Sequence, residues 1–553
     1  MSAPDTTPPH TAGRSIASSS SPSTPLLSHT HVASEEMDQE TATDHYRATT
    51  HDQSQQLWTQ SFADTQEASI LLDFHNVKTE AFSLMLSALP IVVSTMSQIL
   101  LMVPMIAAVG RMGTIALASM NLVSIYAGLG GIAPLSGMAM ALDSLCSQAF
   151  TAAKDKRLLG IYLQRVLLLC LCFQLAIYPL WWNATPIYRF LGVPDDIAQT
   201  TGSILRLYFI GVALLVIYEC LKSYLFAQGI RRFAVLAQLV CLPVGWMSIW
   251  VLLVNESTAI GILGVPCVII IVSLCFNIFA LVFISRFDGY QCWGGWSKSA
   301  FSHLKPVIKL GLNGSAISFF ESVAMHMIDL GVLFLDAPSM AAQAILSVIA
   351  TSAWTMGMGF AIAACNRVGH LLGAAMLHRV QLAVYTAIGI AVIAFTALGC
   401  LLFAKRHSIP AVFTDDPEVA EILVGHIPWA AASGAIQGVN MALNGILRSQ
   451  GRQPLIARIR IFSFSAVAIP LSTISVAVFH WGLAGLWFGY LVSLITTLSA
   501  QLYFVLTTDW QLQAERCRNN IAKALVYASL DEEEIDEDEE TSGNANNGVI
   551  LLL

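Results

Sequence analysis

Residues 136–157 read SGMAMALDSLCSQAFTAAKDKR, and residues 358–379 read MGFAIAACNRVGHLLGAAMLHR. Aligned without a gap, the two stretches share a glycine, an alanine and a final arginine at one offset of 222 residues. A second pair of stretches, LKSYLFAQG at 221–229 and LNGILRSQG at 443–451, has the same offset. Agreement at one offset predicts a chain built from two duplicated halves.

The composition indicates a membrane protein. Of the 553 residues, 55% are hydrophobic and only 12% are charged, whereas a soluble domain carries about 25% charged residues. The formal net charge is −8, but nine of the ten residues at 531–540 are acidic. The remainder of the chain is nearly neutral, so the sequence indicates no nucleic-acid partner.

Twelve apolar runs are long enough to cross a bilayer, which takes about 20 residues. Lipid-exposed backbone must satisfy its own hydrogen bonds, so these runs predict helices. Each half has six of them and therefore enters the membrane in the same orientation. The expected fold is an all-α integral membrane protein of twelve transmembrane helices. Two six-helix bundles are then related by a pseudo-two-fold axis along the membrane normal, with a cavity between them. The predicted spans are 83–107, 115–135, 160–181, 203–226, 232–253, 259–284, 308–334, 340–364, 381–403, 423–447, 460–479 and 482–506.

Basic residues follow the even-numbered spans. Lys154 and Arg157 come after the second span, and Arg448, Arg458 and Arg460 come after the tenth. Because positive residues mark the cytosolic side, both termini are expected in the cytosol. The predicted organisation is a disordered tail at 1–75, an N-terminal lobe at 76–290, a C-terminal lobe at 291–510 and an acidic cytosolic tail at 511–553.

Several segments resemble the multidrug and toxic compound extrusion (MATE) family. They include ALDSLCSQAF at 141–150, NRVGHLLGAA at 366–375, FTDDPEV at 413–419 and GILRSQGRQ at 445–453. NRVGHLLGAA looks like the family's RVGN-LGA signature, with His370 in place of asparagine. The resemblance is of the eukaryotic type and runs from about residue 80 to Trp510. It implies two six-helix lobes in a V shape that exchange organic compounds against protons or sodium.

The seventh span carries the strongest candidates for ion coupling. Placing a charged side chain at the centre of a membrane helix costs about 2.5–3.5 kcal/mol of insertion free energy, so charged residues there often have a function. Glu321, His326 and Asp329 lie on this span, and the resemblance places Glu321 where eukaryotic relatives have a functional acid. Relatives often carry a second glutamate where this chain has His326. We expect proton coupling or substrate binding here; a purely structural Glu–His–Asp network is the alternative.

Polar residues on other spans are candidates for lining the cavity. Stripes at helical spacing either line a cavity or join neighbouring helices, and both readings stay open. In the first span, the stretch ending at Gln98 lacks the acid that prokaryotic relatives often have there, which shifts the expected ion site to the C-terminal lobe. Asp143 is expected to cap a helix, or alternatively to bind the adjacent basic loop as a gate. The lining candidates are Gln343, Ser347, Thr351, Trp354, Gln437, Asn440, Asn444, Glu219 and Gln98; Glu219 also suits a structural pair with Lys222.

These observations favour a secondary transporter over the competing classes. The chain has no HExxH, GxSxG or Walker motif, so neither an enzyme nor a nucleotide-driven pump is expected. We expect no metal or cofactor, and a proton gradient rather than sodium as the energy source. The expected function is export of small organic compounds from the cytosol in exchange for protons, with a flippase or exporter of lipid-linked or amphipathic metabolites as the alternative. The expected setting is a monomer in the plasma or vacuolar membrane of a eukaryote.

Overall fold

The computed structural model describes residues 74–332, 335–414 and 416–526. The predicted N-terminal tail, apart from its last two residues, and the acidic run at 531–540 lie outside these ranges. Twelve long helices, α1–α12, make up the described chain. They span Phe74–Gly110, Ile115–Ala152, Leu158–Trp182, Asp195–Ala227, Arg232–Val254, Gly261–Arg286, Lys305–Gly331, Ala337–Gly373, Leu377–Ala404, Pro417–Ser449, Gln453–Ala477 and Gly482–Leu506.

Eleven of the helices in the described residues are long and apolar enough to cross a membrane. The remaining long helix, α7, has 27 residues, which exceeds the required length. It carries Glu321 and Asp329 in its second half. The twelve predicted spans therefore all correspond to helices, and the long helix that is not among the eleven apolar ones carries the expected ion site.

Three helices contain a wide π turn in place of regular α-helix. Gly128–Ile132 interrupts α2, Trp250–Val254 ends α5, and Ser463–Ala468 interrupts α11. The first of these has the sequence GLGGI, whose three glycines lower the cost of departing from α geometry. Such turns are frequent at functional positions in helices.

The duplication is visible in the packing of the two lobes. In the N-terminal lobe α4 packs on α6, α5 on α6 and α1 on α5; the equivalent pairs α10–α12, α11–α12 and α7–α11 pack in the C-terminal lobe. Between the lobes α2 contacts α7, and its counterpart α8 contacts α1. The helix contacts within one lobe match those within the other, and the contacts between the lobes are also symmetric. This agrees with the duplication predicted from the 222-residue offset.

Small residues allow the lobes to approach closely. A Cβ atom added to Gly137 of α2 would lie closer than 3.0 Å to the backbone of Gly314 of α7, and the reverse substitution meets Gly137 in the same way. Gly369 and Gly373 of α8 are equally tight against α2. Close backbone approach through glycine is a common way for helices to associate in membranes, where apolar burial gives little driving force.

The predicted C-terminal tail begins as ordered structure. Residues 510–526 form a helix, here called the terminal helix. Asp509 accepts hydrogen bonds from the backbone nitrogens of Gln511 and Leu512, which caps its first turn. Its buried side chains recur at helical spacing and join the main core: Trp510, Ala514, Cys517 and Ile521. The first part of the predicted tail is therefore held against the core by one apolar face, and the domain boundary at residue 511 stays a prediction.

Candidate functional site

Glu321 lies at the centre of a polar cluster inside the C-terminal lobe, here called the Glu321 cluster. Its side chain is 7% exposed. Gln437 of α10 donates a hydrogen bond from Nε2 to Glu321 Oε1 over 2.7 Å, and Arg460 of α11 places Nη2 3.3 Å from the same oxygen. Within the described part of the chain, no hydrogen bond or ion pair reaches Oε2. The cluster thus consists of one carboxylate, one amide and one guanidinium, with a carboxylate oxygen left over.

Arg460 is the functional candidate that the sequence analysis placed wrongly. It was assigned to a charged connection, but it lies in the last turn of the α-helical first part of α11, Gln453–Phe462, with its side chain 8% exposed. The predicted eleventh span begins at Arg460, whereas the helix begins at Gln453. A buried partner on another helix makes a charge inside the helix tolerable, since a charge paired in the interior costs far less than an unpaired one.

Asp329 organises a second cluster two turns further along α7. Its Oδ1 accepts hydrogen bonds from Gln343 Nε2 over 3.0 Å and from Ser347 Oγ over 2.8 Å. Gln343 in turn accepts a hydrogen bond from the indole of Trp487 over 3.0 Å. His326 Nδ1 lies 3.6 Å from Asp329 Oδ2. The structure therefore brings together four of the predicted residues, and adds Trp487 of α12, which the sequence analysis had not selected.

His326 is the member of this second cluster that faces the other lobe. A Cβ added to Gly128, in the π turn of α2, would lie 3.6 Å from His326 Nε2. The histidine side chain is 27% exposed, so it is more accessible than Glu321. This position beside a π turn, between α2 and α7, places an ionisable ring next to both lobes.

The remaining predicted residues are distributed more widely. Asn440 donates to the carbonyl oxygen of Leu494 over 3.1 Å, so it joins α10 to α12. Asn444 and the indole nitrogen of Trp354 are buried, and the nitrogen has no hydrogen-bond partner among the described residues. Thr351 and Gln98 are exposed and belong to neither cluster. Glu219 pairs with Lys222 over 2.6 Å in the N-terminal lobe, as the spacing on α4 predicts.

Six polar contacts between the lobes gather at one end of the bundle, here called the closed end. Each joins a residue of the N-terminal lobe to one of the C-terminal lobe, and together they connect the ends of α1, α2 and α4 to those of α8, α10 and α11. The contacts are Glu80–Arg367, Asp143–Arg448, Ser144–Gln453, Gln148–Ser449, Thr151–His370 and Ala227–His370.

Asp143 does not cap a helix. It lies inside α2 and is 3.2 Å from Nη2 of Arg448, which belongs to α10 of the other lobe. The two side chains are 2% and 1% exposed. Arg448, like Arg460, had been assigned to a connection, whereas it lies in the last turn of α10. Neither expectation for Asp143 matches this contact, because the basic partner comes from the opposite lobe and not from the adjacent loop.

Two discontinuous segments of the chain match one protein family. The MatE family profile covers residues 90–251 and 315–474, one segment in each lobe. The chain belongs to the MatE family. The resemblance found in the sequence is confirmed, and with it the twelve-helix fold and the assignment to the membrane transporters of multidrug and toxin extrusion type. The two matched segments reproduce the duplication on which the fold prediction was based.

Curated relatives from fungi and plants agree with this assignment. The chain is 27% identical to the uncharacterized transporter C323.07c of Schizosaccharomyces pombe over 465 residues, which cover 84% of this chain and 86% of the relative. It is 26% identical to Protein DETOXIFICATION 17 of Arabidopsis thaliana, covering 81% of this chain and 94% of the relative. Each of these two relatives is therefore similar to this chain in its N-terminal and its C-terminal lobe.

A solved structure supports the same fold. The eukaryotic MATE transporter AtDTX14 superposes with a TM-score of 0.75 at 21% identity, over 81% of this chain and all of that structure. An outward-facing multidrug resistance MATE transporter gives a TM-score of 0.68 at 16% identity, over 79% of this chain and 97% of that structure. At these identities the likeness establishes the fold alone.

A separate cavity lies outside both clusters. It has a volume of about 350 Å³ and is lined by residues of α1 and α5. Arg111 is its one charged lining residue, and the other lining residues include Trp246 and Trp250. Both tryptophans are about half exposed, as is usual where a helix leaves the apolar part of a bilayer. The charged groups that could couple transport to an ion are elsewhere, so we place the candidate site at Glu321.

Proposed function

We propose that this MatE protein exports small organic compounds from the cytosol in exchange for protons. The environment of Glu321 is the main support for this function. One oxygen of its buried carboxylate contacts Gln437 and Arg460, and the other oxygen has no partner among the described residues. A buried carboxylate binds and releases a proton with a large change in its interactions, because its charged form depends on its neighbours. Glu321 is therefore the proposed carrier of the coupling proton.

The ligand set around Glu321 favours a proton over Na⁺. A hard cation binds several oxygen ligands. Glu321 Oε1 instead meets two nitrogen groups, the amide nitrogen of Gln437 and the guanidinium of Arg460. A proton needs only one carboxylate oxygen, and Oε2 is available for it. Asp329 and His326 are proposed as a second ionisable pair on the same helix, closer to the N-terminal lobe.

The buried basic residues give no support to the lipid-linked alternative. A site for lipid phosphates needs cationic side chains that are not already neutralised. Lys222 is 2.6 Å from Glu219, Arg448 is 3.2 Å from Asp143, and Arg460 is 3.3 Å from Glu321. Each of these three buried cations thus has an acid beside it, and the buried Arg165 donates to the carbonyl oxygen of Ser299. This pairing fits a site that recognises organic compounds without a phosphate group.

We assign the closed end to the cytosolic side. It contains Lys154, Lys156 and Arg157 in the turn after α2, and basic residues near a membrane boundary mark the cytosol. In this assignment the described conformation has its cytosolic entrance shut. Both termini then lie in the cytosol.

The test is transport by purified protein in proteoliposomes. A fluorescent organic cation such as ethidium is supplied under an imposed pH gradient, and separately under a Na⁺ gradient with no pH difference. The proposal expects accumulation with the pH gradient only. Accumulation driven only by Na⁺ would contradict proton coupling. If no dye or other water-soluble compound moves under either gradient while a fluorescent lipid crosses the bilayer, the lipid alternative replaces the proposal.

A further inference from the structure

Arg460 is the feature of the Glu321 cluster that proton binding alone does not explain. A proton carrier needs a carboxylate, but a permanent positive charge beside it makes proton binding harder. Burying this charge in a membrane helix is also costly. A residue that is costly and opposes protonation requires another reason for its presence.

The position of the guanidinium suggests that reason. Arg460 Nη2 contacts Glu321 Oε1, and neither Nη2 nor Nε has a hydrogen-bond partner among the described residues. The carbonyl oxygen of Gln437, whose amide nitrogen contacts the same carboxylate, is also buried without a partner, as is that of Asn440 one turn further along α10. A carboxylate beside a neutral carbonyl oxygen, as Glu321 and Gln437 provide, supplies the oxygen ligands that a hard cation binds.

We propose that Arg460 makes the site selective for protons over Na⁺, because its guanidinium takes the place beside Glu321 that a metal cation would otherwise occupy. The inference rests on the proposed role of Glu321 in coupling. A tethered cation repels a second one and occupies space next to Oε1, whereas a proton on Oε2 displaces nothing. Selective coupling to protons then depends on Arg460 of α11 as well as on Glu321 of α7.

Few other ionisable groups face Glu321. Across from α7, Gln437 of α10 is neutral, and Arg460 is the cation of α11. From α12, Tyr490 lies close enough to interact electrostatically with both Glu321 and Arg460, and its hydroxyl donates to the sulfur of Met325 over 3.2 Å. On α7 itself, His326 and Asp329 pair with each other. Removing Arg460 therefore changes the one permanent charge in direct contact with Glu321.

The first experiment measures Na⁺ binding without using a transported compound. Purified wild-type protein and Arg460→Asn are placed in weakly buffered detergent solution, Na⁺ is added, and released protons are followed with a pH-sensitive dye. Binding of a cation to a protonated carboxylate releases a proton. We expect no release from the wild type and about one proton per protein from Arg460→Asn. Glu321→Gln/Arg460→Asn should release none, because the carboxylate is absent.

Arg458→Asn is the matched control. Arg458 is on the same helix two residues earlier, is exposed, and donates a hydrogen bond to the carbonyl oxygen of Pro454. It should behave as the wild type, and so should Arg460→Lys, which keeps a cation beside Glu321. Proton release by Na⁺ from the wild type would overturn the inference even if Arg460→Asn failed to fold. A folded Arg460→Asn protein that releases no proton would also overturn it.

The second experiment separates this inference from the proposed function. The pH dependence of dye transport is compared between wild type and Arg460→Asn, and the pH of half-maximal transport is expected to rise by at least about 1 unit when the guanidinium is removed. An unchanged midpoint assigns Arg460 a structural role and overturns the inference, while proton coupling stands. Absence of pH-driven transport in the wild type would instead contradict the proposed function.

Discussion

The Asp143–Arg448 pair gives a prediction that can be worked out in magnitude. The pair joins the two lobes at the closed end, and both side chains are almost fully buried. Asp143 Oδ1 and the Nε and Nη1 atoms of Arg448 have no hydrogen-bond partner in the described residues, so the single 3.2 Å contact is the main compensation for burying the two charges. Arg448→Met leaves Asp143 charged and unpaired when the end is closed, and in water when the lobes part.

Removing one partner of a buried ion pair destabilises the structure that buries the other by about 3–5 kcal/mol. The lower value applies here, because the Ser223 hydroxyl and the Lys222 ammonium still stabilise the Asp143 carboxylate, although the Glu219 charge opposes them. A cost of about 3 kcal/mol changes the ratio of closed to open molecules by a factor of about 150, since 1.4 kcal/mol is tenfold. If the open form has a population of about 1%, Arg448→Met raises it to about 60%.

Hydrogen exchange followed by mass spectrometry measures this change without labels. Peptides covering 144–151 and 448–453 should exchange faster in Arg448→Met and in Asp143→Asn than in the wild type. The double variant Asp143→Asn/Arg448→Met should return close to wild-type exchange, because removing both charges also removes the cost of burying them. Arg458→Gln is the control for loss of a positive charge. Equal exchange in all variants, or a double variant that opens as much as the single ones, would refute the reasoning.

Three further predictions concern packing and hydrogen bonds, each measured as thermal stability in detergent. Gly314→Val places a side chain against the backbone of Gly137 and should cost about 1–3 kcal/mol, whereas Gly389→Val, with open space around Cβ, should change little. Asp329→Ala removes the acceptor for Gln343 and Ser347 and should cost about 1–3 kcal/mol; Asp329→Asn, which keeps an acceptor oxygen, should cost less, and equal losses would contradict the hydrogen-bond account. Trp510→Ala should cost about 3–5 kcal/mol because the indole is buried in the core, while Leu512→Ala on the exposed side of the terminal helix serves as its control.

The sequence was sufficient to predict the fold because membrane helices are encoded locally. Apolar length specifies a span, and the 222-residue offset specifies how the halves correspond. The first half also lacks an acid at its equivalent of the ion site, and this predicted the placement of the candidate cluster in the C-terminal lobe. Glu321 and Gln437 were both selected from sequence, although nothing in the sequence showed that they would be in contact.

The buried arginines could not be predicted in the same way. Arg448 and Arg460 are each near the end of an apolar run, where a positive charge ordinarily marks the cytosolic boundary. Their partners, Asp143 and Glu321, are 305 and 139 positions away, and only the packing of helices from both lobes or from within one lobe brings them together. Trp487 was missed for a similar reason, since an indole in an apolar run is usually a packing residue until an acceptor such as Gln343 is seen beside it.

The central claim, that Glu321 carries the coupling proton, is tested most directly by comparing two modes of transport in Glu321→Gln. Proteoliposomes are assayed for dye accumulation driven by a pH gradient, and for exchange of labelled against unlabelled dye with no gradient. We expect Glu321→Gln to lose pH-driven accumulation but to keep gradient-free exchange, since the amide can keep the hydrogen bond to Gln437 but cannot release a proton. Full pH-driven accumulation by Glu321→Gln would contradict the account.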